Sequence, residues 1–136
     1  MTEHEGREQR GEAARMLMER ADEALAVARR EQKLSPTTAL NRAFYACFYA
    51  ASAALVLEGR EFVKHTGVRA AVHRDLVKPG RLAPEFGQIY DELFNDRSEA
   101  DYVPTSTFSP EDGASAVAKA ERFVGALRVW MPPGGA

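Results

Sequence analysis

One apolar segment in the first half of the chain constrains the fold more than any other feature. Between residues 39 and 57, only Asn41, Arg42 and Ser52 are clearly polar. A helix that is apolar on nearly every side belongs in the centre of a bundle or against a second subunit. A membrane span is the competing interpretation, but the uninterrupted apolar run 43–51 is far shorter than the roughly 20 residues a span needs. The sequence therefore predicts a core helix over residues 36–58.

Turn-forming residues divide the rest of the chain into further helices. Ser35–Pro36 and Ser109–Pro110 each supply a serine N-cap and a proline at the first helical position, and Gly59 supplies a helix stop. Alternating β-branched runs typical of strands are missing. Apolar residues at three- and four-residue steps predict helices over residues 8–33, 36–58, 66–77, 84–102 and 110–131. Short connections between them predict an all-α, up-and-down antiparallel bundle of about five helices.

A single helical domain accounts for almost all of the 136 residues. We predict a disordered head at 1–8, the helical domain at 9–131 and a disordered tail at 132–136. The head is polar and contains no hydrophobic secretory segment, so we expect a cytoplasmic protein that does not bind membranes. Cys47 is the only cysteine and lies in the apolar run, which predicts a buried thiol and no disulfide framework.

Charge and spacing exclude several functional classes. The net charge of −2 provides no general electrostatic footprint for DNA, and RNA or nucleotide binding would need a local patch. No Glu-x-x-His pair of a di-iron bundle, no Cys/His zinc spacing and no glycine-rich phosphate loop is present. We therefore predict neither a metal nor a cofactor.

The stretch FNDRSEADYVP places a permanent positive charge on an apolar stripe. Extending the helical spacing of that stripe leads to Arg97 and then to Asp101, and its apolar members are Phe86, Ile89, Tyr90, Leu93 and Phe94. An inward guanidinium must be paired, and Asp101, one turn later, is within reach. Two interpretations stay open: a structural ion pair that completes the helix end, or an arginine that presents its fork to a phosphate.

The core helix carries a polar line of its own. Residues at spacings of four, four and three share one side: Asn41, Tyr45, Tyr49 and Ser52. They are either tyrosine hydroxyls at the rim of a packed layer or the polar wall of a groove that faces Arg97, with Arg42 adding charge beside it.

Two histidines belong to the third predicted helix. His65 lies at its start, where backbone N–H groups favour anions, or it acts there as a capping residue. His73 lies in the middle, and we expect it on the solvent side.

Several separated segments, in order, resemble the HEPN domain family (higher eukaryotes and prokaryotes nucleotide-binding). The resemblance covers about residues 10–130 and is closest to small stand-alone prokaryotic HEPN proteins, in which an R-x-x-A-D-Y stretch recurs. The segments are NRAFYACFYAASAALVLEGREF, KHTGV, VKPGRLAPEFGQIYDELFNDRSEADY and FSPEDGASAVAKAERFV.

The resemblance implies a helical bundle that commonly dimerises. Many HEPN proteins are metal-independent endoribonucleases, in which an arginine steadies the phosphate and a histidine four to six residues beyond it moves a proton. Others pair with a small nucleotidyltransferase in toxin–antitoxin-like operons, and still others bind nucleotides or only scaffold. Here Arg97 matches the motif arginine, but Tyr102, Val103 and Pro104 stand where the histidine is expected. An unperturbed tyrosine is a poor base at neutral pH.

We therefore expect a homodimeric module that binds a nucleotide, an RNA or a nucleotidyltransferase partner without cutting RNA. Its expected binding residues are Arg97, Asp101, Asn41, Arg42, Tyr45 and Tyr49. One alternative is a metal-independent endoribonuclease that uses Arg97 with Tyr102, and with His65 standing in from another helix. The other is a purely structural helical interaction protein, in which the Arg97–Asp101 pair only fixes a helix end.

Overall fold

Helices make up most of the computed structural model, which describes residues 2–60 and 65–132. A π-helical segment, Val72–Val77, directly continues the third helix, and no strand occurs in the described ranges. The prediction of an all-α bundle of about five helices is confirmed. The helices are α1 (Glu3–Glu31), α2 (Pro36–Leu57), α3 (His65–Ala71), α4 (Pro84–Tyr102) and α5 (Pro110–Arg128).

The predicted caps begin α2 and α5. The backbone N–H of Thr38 donates to Ser35 Oγ at 3.4 Å, and Pro36 is the first helical residue. At α5, Ser109 Oγ accepts from the backbone N–H of Asp112 at 3.1 Å, and Asp112 Oδ2 accepts from that of Ser109 at 2.8 Å. This reciprocal capping box satisfies two N–H groups that the helix itself cannot.

Two predicted helix boundaries and the geometry of the third helix are corrected. Helix α1 begins at Glu3 rather than residue 8, because Thr2 Oγ1 accepts the backbone N–H of Glu5 at 3.1 Å and acidic residues occupy the first turn. Most of the head expected to be disordered is thus helical. Helix α5 ends at Arg128 rather than residue 131, and the third helix changes from α to π geometry at Val72. Of the tail predicted to be disordered, residues 133–136 lie outside the described residues.

Helix α2 lies at the centre of the bundle and contacts α1, α3, α4 and α5. By length and composition it could cross a membrane, but 61% of its most apolar window is buried among the other helices. A core helix of a bundle passes the same compositional test, and the packing supports that interpretation.

Alanines form one buried stripe along α2, and α1 carries a similar stripe. On α2 they are Ala39, Ala43, Ala46, Ala50 and Ala53, and on α1 they are Ala14, Ala21, Ala24 and Ala28. The contact between α1 and α2 is the most extensive in the bundle. Small side chains allow two helix axes to approach closely.

Aromatic side chains fill the contact between α2 and α4. The ring of Phe44 lies 5.7 Å from that of Tyr90 and 5.7 Å from that of Phe94, both edge to face. One turn from Phe44, Cys47 is fully buried, and burial raises the pKa of its thiol far above the ordinary value. The predicted buried thiol is confirmed.

Candidate functional site

Arg97 lies on the buried side of α4. Its side chain is only 9% exposed, and its Nη1 donates to Asp101 Oδ2 at 3.3 Å, one turn further along the helix. The prediction that Arg97 points inward and pairs with Asp101 is confirmed. Its role in ligand binding stays a prediction.

Three aromatic rings surround the Arg97 guanidinium. Its central carbon lies 5.0 Å from the ring centre of Phe44, 5.8 Å from that of Phe94 and 5.9 Å from that of Tyr45. Ring faces attract a cation and replace part of the water it has lost. The charge is thus held between α2 and α4, with a defined orientation.

A chain of polar contacts runs from Asp101 to α2. The amide nitrogen of Asn41 lies 3.4 Å and 3.5 Å from the two carboxylate oxygens of Asp101. The amide oxygen of Asn41 accepts from Arg42 Nε at 3.0 Å and from Arg42 Nη2 at 2.8 Å. The Asp101 carboxylate therefore connects, directly or through Asn41, to two guanidinium groups.

Tyr45 and Tyr49 extend this polar chain along α2. The Arg42 guanidinium lies over the Tyr45 ring at 4.9 Å, and the Tyr45 and Tyr49 ring centres are 6.2 Å apart. The structure therefore joins all six predicted binding residues in one continuous network. Beyond Tyr49, a groove between α1 and α2 is lined by Arg20, Glu23, Ala24, Val27, Arg42 and Tyr49.

The Arg97 guanidinium has more donors than its described neighbours accept. Of its five N–H groups, one contacts Asp101 at 3.3 Å and another contacts Ser98 Oγ at 3.5 Å, both long for such bonds. Its Nε is buried and has no hydrogen-bond partner among the described residues. An anion that arrived from the Asp101 side, where that carboxylate is 29% exposed, would find unused donors.

The three residues predicted for catalysis do not form one described cluster. Tyr102 is 74% exposed at the end of α4, and no described hydrogen bond links it to Arg97. His65 is the first residue of α3, as predicted, but its side chain lies outside the described residues. Their catalytic roles stay predictions.

Tyr90 lies closer to the aromatic cluster than Tyr102 but is unsuited to proton transfer. It is fully buried, and its ring centre lies 5.7 Å from that of Phe44 and 5.6 Å from that of Phe123. Burial raises the pKa of its phenol far above the ordinary value, so the group stays protonated at neutral pH. Tyr90 therefore contributes packing against Phe44 and Phe123, and no proton transfer.

A second polar cluster, which the sequence did not reveal, lies where α3 and the π-helical segment meet α4. Asp91 Oδ1 accepts from Arg69 Nε at 2.9 Å and lies 2.9 Å from His73 Nε2. Burial alone would raise the pKa of Asp91, but the hydrogen bonds from His73 and Arg69 outweigh it and lower that pKa below the ordinary value. The carboxylate is therefore ionised at neutral pH.

His73 is partly exposed to solvent, as expected, with 42% of its side chain accessible, and its bond to Asp91 of α4 is the feature that was not predicted. Gly87 makes the approach possible: a Cβ there would lie 2.9 Å from Cε1 of His73. In the π-helical segment, His73 O accepts from Lys78 N at 2.8 Å, across five residues instead of four. A glycine inside a helical pattern indicates close packing, and Gly87 was the signal that could have revealed this contact.

Comparison with known proteins places the chain among helical proteins of one family. A model of the HEPN domain matches residues 14–130. A "UPF0332 protein" of Thermotoga maritima is 40% identical over 90 residues, which cover 66% of this chain and 68% of the relative. A "Putative toxin" of Methanocaldococcus jannaschii is 33% identical over 119 residues, 86% of this chain and 87% of the relative. A second "Putative toxin" of that organism is 26% identical over 93 residues, 68% and 63% of the two chains.

Proposed function

The chain belongs to the HEPN domain family, and on this premise we propose that it is a toxin-type HEPN module that binds a phosphate of a nucleotide or RNA ligand at Arg97. The observation that carries the proposal is a guanidinium 9% exposed, fixed by three aromatic rings, with donors that no described residue accepts. Buried polar atoms normally have a hydrogen-bond partner, so the unpartnered Nε of Arg97 calls for an explanation.

Phosphate suits this arginine better than other anions do. Its planar fork matches two phosphate oxygens, and a charge-assisted bond made away from bulk water is stronger than a neutral one. Asp101 is the competing acceptor, at 3.3 Å, and it is also shared with Asn41. A bound phosphate would take the place of this long contact, and Asn41 would retain the released carboxylate.

We further propose that the module binds RNA without cutting it. No histidine occurs from residue 97 to the end of α4, and Tyr102 is 74% exposed, with no described hydrogen bond to Arg97. The missing component is a proton carrier, because an arginine cannot give up its proton at neutral pH.

Ligand binding and cleavage can be tested in one experiment. The full chain is titrated, with EDTA present, into a short fluorescein-labelled single-stranded RNA and, by calorimetry, with adenosine monophosphate. We expect both to bind, Arg97→Met to abolish both interactions, Arg97→Lys to keep a weak remainder, and the RNA to stay intact. Arg122→Met is the matched control, because Arg122 also lies over a ring (Phe86, 5.7 Å) and pairs with a carboxylate (Glu85, 2.7 Å), but is exposed.

Three results would contradict this proposal. If the wild-type chain binds neither probe, no phosphate site exists. If Arg97→Met binds like wild type, the Arg97–Asp101 pair is structural. If RNA is cut without metal and Arg97→Met stops the cutting, the protein is an endoribonuclease.

Assembly is part of the same proposal. The resemblance favours a homodimer, because HEPN proteins commonly dimerise. It also favours a small nucleotidyltransferase as partner, because some HEPN proteins pair with one in toxin–antitoxin-like operons. The mass of the purified chain, measured by light scattering, tests the first. Co-purification with the nucleotidyltransferase encoded in the adjacent reading frame, if there is one, tests the second. A monomer would contradict a site shared between two subunits.

A further inference from the structure

We propose that Arg69, held by Asp91 and His73, is a second phosphate contact, so that the ligand of this module is a strand of RNA and not a single nucleotide. This inference rests on the proposed function, because it extends the Arg97 site. It concerns residues outside the R-x-x-A-D-Y stretch, on α3, the π-helical segment and α4.

The Arg69 side chain is fixed in place but still accessible. Its Nε donates to Asp91 at 2.9 Å, and its guanidinium lies over the Phe94 ring at 4.6 Å. One N–H and one face of the group are thereby occupied, and no described residue accepts from its two terminal nitrogens. The side chain is 36% exposed and lines an open cleft with Ala70, His73 and Asp91. An arginine immobilised in this way loses less conformational entropy when its free edge meets a phosphate.

Asp91 and His73 position Arg69 and do not themselves contact the ligand. Asp91 is ionised at neutral pH and orients the guanidinium through Nε. His73 lies 2.9 Å from the same carboxylate oxygen through Nε2, and the ring is close enough to Gly87 that an added Cβ there would lie 2.9 Å from Cε1 and 3.1 Å from Nδ1. The bond to Asp91 gives His73 a supporting role in holding that carboxylate.

One aromatic ring connects Arg69 to Arg97. The central carbon of Arg69 lies 4.6 Å from the centre of Phe94 and that of Arg97 lies 5.8 Å from it, so the two charges are at most about 10 Å apart. Phosphates one or two nucleotides apart on a single strand fit within this limit, so each guanidinium would take a phosphate of its own. Because both contacts are to the backbone, the site would not select a base sequence.

The alternative for Arg69 is a structural ion pair that only fastens α3 and the π-helical segment to α4. That role predicts a change in stability when Arg69 is replaced, but no specific change in RNA affinity or in its salt dependence. A phosphate contact predicts both, because each neutralised phosphate releases counterions and adds about one to the slope of log K against log salt.

The test compares Arg69→Gln with wild type in RNA and mononucleotide binding over a series of salt concentrations. We expect the affinity for the labelled single-stranded RNA to fall on the order of tenfold and the salt slope to decrease by about one. Affinity for adenosine monophosphate should not change. Arg69→Lys keeps the charge and should retain the slope with a smaller loss of affinity, and it replaces Arg69→Gln if that variant fails to fold. Arg122→Gln, the exposed arginine over Phe86, should behave as wild type.

The possible failures separate the two proposals. If Arg69→Gln binds RNA with wild-type affinity and slope while Arg97→Met does not bind, the second contact is wrong and the Arg97 site remains. If Arg69→Gln weakens RNA and adenosine monophosphate equally, it disturbs the Arg97 site and is no separate contact. If wild type binds adenosine monophosphate but no RNA, the inference is wrong. If wild type binds neither, the proposed function is wrong as well.

Discussion

Helix α2 is packed in opposite ways on two of its sides. Along α2 and along α1, the two helices with the most extensive contact, run stripes of buried alanines, small side chains without functional groups. The contact with α4 is built from Phe44, Tyr90 and Phe94, and their rings surround the charge of Arg97. The first arrangement brings two backbones close together, and the second leaves room between backbones for a polar group. We conclude that the alanine stripes serve packing, and that the Arg97–Asp101 pair is held where α2 meets α4.

The largest expected effect is at the centre of the aromatic contact. Phe44→Ala removes a fully buried ring that touches Tyr90, Phe94 and the Arg97 guanidinium. We expect urea unfolding to show a loss of about 3–5 kcal/mol in the free energy of unfolding, from lost burial and from the cavity. Phe86→Ala, in which the lost ring is only half-buried, should cost clearly less. Equal losses would mean that the aromatic contact has no special weight.

The alanine contact should fail for the reverse reason. Ala46→Leu adds three carbons where the side chain is fully buried, and the close approach of the backbones leaves no space for them. We expect a loss of about 1–3 kcal/mol in the free energy of unfolding. Ala118→Leu, at an exposed position of α5, is the control and should change little. If Ala46→Leu is as stable as wild type, α1 and α2 are not packed as closely as we infer.

The polar pair inside the aromatic contact separates structure from function. Asp101→Ala leaves the guanidinium with rings but no carboxylate, so we expect a loss of about 1–2 kcal/mol in unfolding free energy. Arg97→Met removes the charge and keeps the volume, so its stability should be unchanged or slightly higher. Thermal or urea unfolding of both variants checks this order. A larger loss for Arg97→Met would mean that the arginine serves stability first.

The smallest expected effect distinguishes two carboxylates of α4 by pH. The pKa of Asp91 is lowered, so its stabilising contribution is present above the ordinary carboxyl pKa of about 3.9 and is lost as pH falls through the lower folded value. Wild type should exceed Asp91→Asn by less than about 1 kcal/mol at pH 7, and the difference should disappear in acid.

Asp96 is the matched control on the same helix. Burial raises its pKa, so the folded state holds this proton more tightly and loses stability as pH rises above the ordinary carboxyl pKa. Asp96→Asn should therefore be more stable than wild type at pH 7, and the difference should vanish in acid. Urea unfolding at several pH values measures both variants. The same sign for both would contradict the assigned causes.

Local signals in the sequence predicted much of the fold. Serine caps followed by proline set the starts of α2 and α5 because these interactions span only three residues. The three- and four-residue spacing along α4 was enough to predict that Arg97 points inward and pairs with Asp101. The start of α1 was missed because a polar, charged sequence resembles a disordered one. The N-cap at Thr2, which begins the helix, was not recognised in the sequence.

The second cluster could not be predicted because its partners are distant in sequence. Asp91 meets Arg69 from 22 positions away and His73 from 18. Which face of the third helix meets α4 depends on the change to π geometry at Val72, and that change shifts the later side chains around the axis. No local pattern predicts this shift, and so the bond between His73 and Asp91 was not predicted.

The single thiol of the core helix, Cys47, can also report how often the helical bundle opens. Cys47 is sealed from water and its proton is tightly held, so an alkylating reagent can reach it only when α2 separates from its neighbours. Fraying of the first turns of α1 would leave Cys47 unmodified, whereas opening of the whole bundle would allow its alkylation. Mass spectrometry would then measure the alkylated fraction. Because the native cysteine serves as the probe, no introduced cysteine would be required to measure how often the bundle opens.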